Sequence, residues 1–189
     1  MNSDHHIGIN GIDVPYTLSH RKVKRARLEF RAGRLNVVVP KSFPDHEQLI
    51  LRHRLWVYRR YTDSLATIEN AASKKLVGRH DDEFRELVLS FTTKIADELG
   101  VSPEKVTFRK MRTKWGSCSS AGRLNFNRHL MHLPEDLVEY VVFHEMAHLI
   151  ELRHSPRFWQ MIDSRFGDRS HYDKELSAYW HLIQDSVQK

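Results

Sequence analysis

The spacing of apolar and polar positions changes period along this chain. Between Val23 and Val39 it alternates, with Ala26, Leu28 and Phe30 on one side and Arg25, Arg27, Glu29 and Arg31 on the other. A period of two predicts a strand, Ala32-Gly33 a turn, and Leu35, Val37 and Val39 the inner face of a returning strand. Over residues 45–70 the period lengthens, placing Leu51, Leu55, Tyr58 and Leu65 on one stripe of a single long helix. The polar stretch Ser73–Asp82 reads as a linker. A second helix over residues 82–99 turns Phe84, Leu87, Val88, Phe91 and Ile95 inward and stops at Gly100. Short strands are expected over Lys105–Lys114 and Arg123–Arg128.

Residues 134–152 carry a third pattern. Pro134 suits a first helical position, Glu135 and Asp136 favour the first turn, and neither Gly nor Pro interrupts the chain from there to Leu152. Leu137, Val138, Val141, Val142, Phe143, Met146, Ala147, Leu149 and Ile150 make this helix apolar nearly all round, so it is predicted to be buried. Ser155-Pro156 reads as the N-cap and first position of a further helix closed by Gly167, and Ser170–Val187 as a last one. No internal repeat or low-complexity segment occurs. The expected fold is α+β in a single domain over residues 1–189, with a hairpin and long helix over 1–72 and a core over 83–189.

The buried helix carries the candidate chemistry. It contains His144-Glu145-Met146-Ala147-His148, and positions four apart share a helix face, so both imidazoles can aim at one metal ion. Glu145 sits about 100° round the helix, within reach of a water at that ion without being a ligand. With 13 histidines in the chain such a spacing can arise by accident, and its weight comes from the helix around it. Two histidines and a glutamate on a buried helix are costly unless paired or bound to metal. His154, on the turn before Ser155-Pro156, is the expected third ligand and leaves a fourth position open, the mark of a catalytic zinc site. Glu151, His171 and Glu175 are its rivals. The expectation is one Zn2+ per chain, with Glu145 as general base for a water that ionises near neutral pH.

A second segment extends the picture. Arg112-Thr113-Lys114-Trp115-Gly116-Ser117-Cys118-Ser119 precedes Gly122-Arg123-Leu124-Asn125-Phe126-Asn127, then Leu133-Pro134 and the histidine helix, and after it His154-Ser155-Pro156-Arg157-Phe158-Trp159. This order resembles the YgjP-like zinc metallopeptidase domain, related to the WLM and SprT-like families. The match is strongest from Arg109 to Trp159 and weaker over the basic hairpin and long helix. The resemblance implies a zincin-like fold, with a small antiparallel sheet beside an active-site HExxH helix and further helices around it. It also implies zinc held by His144, His148 and His154, with Glu145 as general base, and a peptide or protein substrate. It suggests that the strand at Trp115 borders the cleft, where Arg112 or Lys114 can neutralise the tetrahedral oxyanion. Trp115 and Cys118 read at least as well as packing residues, and Tyr172 and Tyr179 as core residues before oxyanion donors.

Charge adds a rival class. The formal net charge is +6 and the pI about 9.5, with Arg21, Lys22, Lys24, Arg25, Arg27, Arg31 and Arg34 crowded into the first hairpin. Such a stripe can track phosphates, so Arg25, Arg27 and Arg31 are candidate nucleic-acid contacts, against a simpler reading as a solvated strand face. The relation to SprT-like proteases, which act on proteins attached to DNA, raises the first reading. The same water-activating centre could also cleave a nucleotide phosphoanhydride, but no Gly-rich phosphate loop is present. The single cysteine excludes an internal disulfide, no apolar run approaches the ~20 residues of a membrane span, and Met1–His6 lacks the regions of a signal peptide. The cytoplasm is therefore the expected compartment.

Overall fold

The computed structural model describes residues 4–31 and 34–187, with only the backbone of Asp4, Arg31 and Val187. The Ala32-Gly33 turn lies outside the described residues. The chain divides into two compact units, residues 1–73 and 74–189.

The first unit is a four-stranded sheet with two helices. Strands β1 (Asp4–Ile9), β2 (Ile12–Arg21), β3 (Arg27–Arg31) and β4 (Arg34–Pro40) lie in the order β1-β2-β4-β3. The β3–β4 hairpin keeps the expected faces: Leu35, Val37 and Val39 are buried, Ala26, Leu28 and Phe30 pack on the same core, and Arg25 and Arg27 are exposed. Strands β1 and β2 add to what the alternation at Val23–Val39 predicted. Asn10 and Gly11, both at positive φ (49° and 80°), join them, and paired positive φ is what a tight two-residue hairpin turn requires.

The long helix is two, α1 (His46–Arg52) and α2 (Arg54–Ala72), because His53 leaves the helical region with φ −106° and ψ 18°. The break resets the phase of the helical period. Ile50 and Val57 are therefore the buried positions, while Leu51, Leu55 and Leu65, assigned to the inner stripe by an unbroken period, are 43%, 61% and 44% exposed.

The second unit opens with the polar segment 74–80, which is tied down rather than free. The Val77 N–H donates to the His132 carbonyl at 2.9 Å, and the Arg79 guanidinium donates to the Leu133 carbonyl. Helix α3 (Asp81–Leu99) has three acidic residues in its first turn and ends at Gly100, whose φ of 63° suits a residue without Cβ. Strands β5 (Lys105–Arg109), β6 (Gly116–Cys118) and β7 (Arg123–Asn127) form a sheet ordered β5-β7-β6, which leaves β6 at an edge. Helices α4 (Glu135–Ala147), α5 (Pro156–Phe166) and α6 (Arg169–Val187) complete the unit. The fold is α+β as expected, but both sheets are mixed rather than antiparallel, since β2 runs parallel to β4 and β5 parallel to β7.

Helix α4 is the core of this unit, buried at Leu137, Val138, Val141, Val142, Phe143, Met146 and Ala147 against Phe84, Val88 and Ile95 of α3 and Phe126 of β7. Each such larger side chain contributes roughly 1.5–3 kcal/mol when fully removed from water, enough to hold polar groups where they would not settle alone. The helix ends at Ala147, five residues before the expected Leu152. His148 is its C-cap, still near helical geometry at φ −65° and ψ −17°, and therefore still one turn beyond His144 on the same face. Among the described residues no helix is long and apolar enough to cross a membrane.

Candidate metal centre

The early end of α4 is what builds the site. The Leu149 and Ile150 N–H groups bond back to Met146 and Ala147, the chain turns, and Ser155 caps α5 by accepting from the Phe158 N–H at 3.3 Å. His154 is thereby carried back over the two helix histidines. Its Nε2 lies 3.0 Å from Nε2 of His144, and ligand atoms of His144, His148 and His154 all fall within 4.8 Å of one another. Two nitrogens each ~2.05 Å from a tetrahedral ion would stand about 3.3 Å apart, so the close pair fits a shared ion. No other such group of three His, Cys, Asp or Glu occurs among the described residues.

Hydrogen bonding fixes one tautomer. The Glu151 carbonyl, 3.1 Å from Nδ1 of His148, can only accept, so Nδ1 carries the proton and Nε2 is left with its lone pair for a metal. Burial lowers the pKa of His144 to about 3, helped by His148 and His154, and lowers that of His148 as well. Both rings are neutral at ordinary pH, which is the ligand form. The three imidazoles therefore fit a divalent cation of the kind that takes nitrogen donors.

Aromatic rings of α5 hold these histidines in place. His148 stacks on Phe158 (centroids 4.5 Å, 23°) and His154 on Trp159 (5.1 Å, 16°), while His144 meets Phe158 edge-on at 4.9 Å. Arg169 lies over the Trp159 ring system at 4.5 Å. Phe158 and Trp159 follow the Ser155-Pro156 cap after Arg157, but nothing in a linear pattern says that a ring will stack on a ligand.

Glu145 is buried, 7% exposed, one position round the helix from His144. Burial raises its pKa to about 7, against the opposing pull of Lys114 and a hydrogen bond from the Cys118 backbone. Gly116 makes this position possible: a Cβ there would lie 2.6 Å from Cγ and 2.7 Å from Oε1 of Glu145. Burial, then the Glu145 charge, pushes the Cys118 thiol up to about 11, so it stays protonated.

A cleft of about 410 Å³ opens over these residues, walled by the edge strand β6 and Trp115 on one side and by Tyr140, Val141, Leu152, Asp173 and Leu176 elsewhere. Lys114 lines it, whereas Arg112 is exposed and does not. Trp115 serves both wall and packing, meeting Trp180 of α6 edge-on at 4.7 Å. The rival ligands stand elsewhere. The Glu151 carboxylate accepts from the Arg153 N–H at 3.2 Å, Glu175 pairs with Lys74 at 2.7 Å, and His171 is exposed outside the cleft. Tyr172 stacks on Tyr140 at 4.5 Å and 5°, and Tyr179 is buried in the core. Arg25 and Arg27 belong to the first unit, as does Arg31, whose side chain lies outside the described residues.

Comparison with known proteins assigns a family. No curated protein matches the chain at significance. Among solved structures, the metallopeptidase zymogen of Pyrococcus abyssi abylysin overlaps 54% of this chain and 96% of its own at 23% identity and a TM-score of 0.42. The metallopeptidase zymogen of Methanocaldococcus jannaschii jannalysin overlaps 52% of this chain and 88% of its own at 20% identity and the same TM-score, 0.42. The sequence model of the YgjP-like metallopeptidase domain matches residues 58–179, which include the cleft walls, the histidine helix and the turn to His154. The chain belongs to the YgjP-like metallopeptidase family.

Proposed function

We propose that this chain is a zinc-dependent metallopeptidase that hydrolyses peptide bonds in protein or peptide substrates, with Glu145 as general base. The observation that carries the reading is the buried Glu145 carboxylate beside three converging imidazoles, in a cleft bordered by the outer strand of a sheet.

His144, His148 and His154 would hold the ion. Bound there, zinc supplies Lewis acidity, lowering the pKa of water to about 7 and polarising a carbonyl. Glu145 accepts the proton of the attacking water at its carboxylate, and its pKa of about 7 matches a base that must both take and release a proton at neutral pH. The protonated carboxyl then delivers that proton to the leaving amine. Lys114, the cation lining the cleft and electrostatically coupled to Glu145, is better placed than Arg112 to offset negative charge on the tetrahedral oxygen. An extended substrate would pair its backbone with the open edge of β6 at Gly116–Cys118. A nucleotide triphosphate fits less well, because Lys114 is the one Lys or Arg among the lining residues. Cytoplasmic residence belongs to the same proposal, as does weak, salt-sensitive nucleic-acid binding through Arg25, Arg27 and Arg31.

Metal analysis of the purified chain tests the first half of the reading. About one zinc per chain is expected, with His144→Ala, His148→Ala and His154→Ala each losing most of it and Glu151→Ala keeping it. Full zinc occupancy in a His144→Ala, His148→Ala double variant would overturn the assignment.

A further inference from the structure

The cleft has an acidic group besides Glu145, and the reaction as proposed does not use it. Asp173 of α6 lines the cleft and also an adjoining depression formed by Thr113, Trp115, Leu176, Ser177 and Trp180. Trp115, Asp173 and Leu176 are common to both hollows, so they stand at the boundary between them. That boundary presents an aromatic side chain, an aliphatic side chain and one carboxylate.

Two features mark it as a place for a cation. The first is the state of Asp173. Its helix neighbour one turn back, Arg169, is drawn away, with its guanidinium on Asp163 at 3.3 Å and over the Trp159 ring at 4.5 Å. Arg169 therefore acts on Asp173 only through its field. The second is Tyr140, which lines the same cleft and is 2% exposed, yet whose hydroxyl lacks a hydrogen bond of standard geometry. Its partner is Asp173: the hydroxyl donates to that carboxylate, at a geometry short of the standard one. A buried hydroxyl without a well-formed partner is costly, and a group arriving from outside can complete it. An ammonium or guanidinium supplies the missing geometry: the carboxylate accepts from the cation, and the phenol donates to the carboxylate or accepts in its turn.

We propose that Asp173, supported by Tyr140, is a specificity-determining residue that binds a lysine or arginine side chain of the substrate. The inference rests on the peptidase reading. Lys and Arg combine a methylene stem with a charged head, and Trp115 and Leu176 offer the stem an apolar path to the Asp173 carboxylate. A glutamate on the substrate would meet the same carboxylate and be repelled.

The test uses the full metal-loaded chain and N-acetylated peptides that differ at one position between lysine, norleucine and glutamate, scanned along the peptide. Acetylation removes the α-ammonium, so only the side chain can supply the cation. At one position lysine should raise kcat/KM over norleucine by about tenfold or more, the scale of one charge-assisted hydrogen bond. Asp173→Asn should bring that ratio towards one, and Asp173→Arg should turn the preference to glutamate. Because each readout is a ratio within one variant, partial loss of folded protein cancels. Cleavage of all three peptides at equal rates, or a lysine preference that survives Asp173→Asn, would overturn this inference and leave the peptidase reading standing. A metal-loaded chain that cuts no peptide at all would overturn both.

Discussion

At Gly116 the absence of one side chain decides where Glu145 can sit. A Cβ 2.6 Å from Cγ of Glu145 is closer than real contacts allow, so something must shift, and with Gly116 held in strand β6 it is the buried Glu145 side chain that gives way. Gly116→Ala should therefore displace the carboxylate while leaving the three histidines intact. The expected result is unchanged zinc content with turnover reduced about 10²-fold, the effect of misplacing a catalytic group by around 1 Å. Equal turnover in the variant would show that Glu145 does not need that place. Residue by residue, the sequence showed the chemistry better than its support. The i, i+4 spacing of His144 and His148 is a fixed consequence of helix geometry and could be read directly. The room that Gly116 leaves for Glu145, and the stacking of His148 on Phe158, depend on the packing of separate elements and have no local signature. Tyr140 is an intermediate case. It lies one turn before His144 on the same face, so its position in the cleft was implicit in the period, though the pairing of its hydroxyl with Asp173 was not.

At the scale of elements, what holds the histidine helix against its neighbours outside the apolar core is a charged cluster. Arg165 of α5 bonds to Glu139 of α4 at 2.7 Å and also to Glu98 of α3, and Lys94 of α3 reaches Glu139 at 3.4 Å. Burial alone would raise the pKa of Glu139, but the hydrogen bonds from Arg165 and Lys94 outweigh it and the net shift is downward. A carboxyl whose pKa is lower folded than unfolded stabilises the fold fully above its ordinary value of 4.5 and loses that contribution as the pH falls through the depressed value. Glu139→Gln should therefore cost on the order of 1 kcal/mol at neutral pH, and the gap in Tm between the variant and the parent should close on acidification below 4.5. A gap that is constant with pH would remove the charge from the explanation. Elements with one unbroken period were placed well from sequence, α3 and α5 among them, because Gly100, Ser155-Pro156 and Gly167 mark their ends. Helices α1 and α2 were merged because His53 is no helix breaker by type, and a break without Gly or Pro leaves no trace in composition. The mixed pairing of both sheets was equally hidden, since alternation gives the face of a strand but not the direction of its neighbour.

Across the whole molecule the charge is unevenly shared. Residues 1–73 hold 12 Lys or Arg against 7 Asp or Glu, whereas residues 74–189 hold 18 against 17, so nearly all of the net +6 belongs to the first unit. A role for Arg25, Arg27 and Arg31 in nucleic-acid binding predicts an affinity that falls steeply with salt, because each neutralised phosphate releases counterions. Changing all three to glutamate should abolish that binding while cleavage of a short free peptide continues. Binding that is unaffected by the triple change would return the hairpin to a solvated face. Cleavage itself is assigned to the second unit, and the division of labour there can be examined in one experiment. The most direct is to load the parent chain and Glu145→Gln with zinc, measure metal content, and track hydrolysis of an unfolded protein by both. The variant keeps the shape of the side chain and a polar group but cannot take a proton, so both samples should hold about one zinc per chain while its turnover falls ~10²–10⁴-fold. Turnover by Glu145→Gln within a few-fold of the parent at equal zinc, or no hydrolysis by the zinc-loaded parent, would contradict the account.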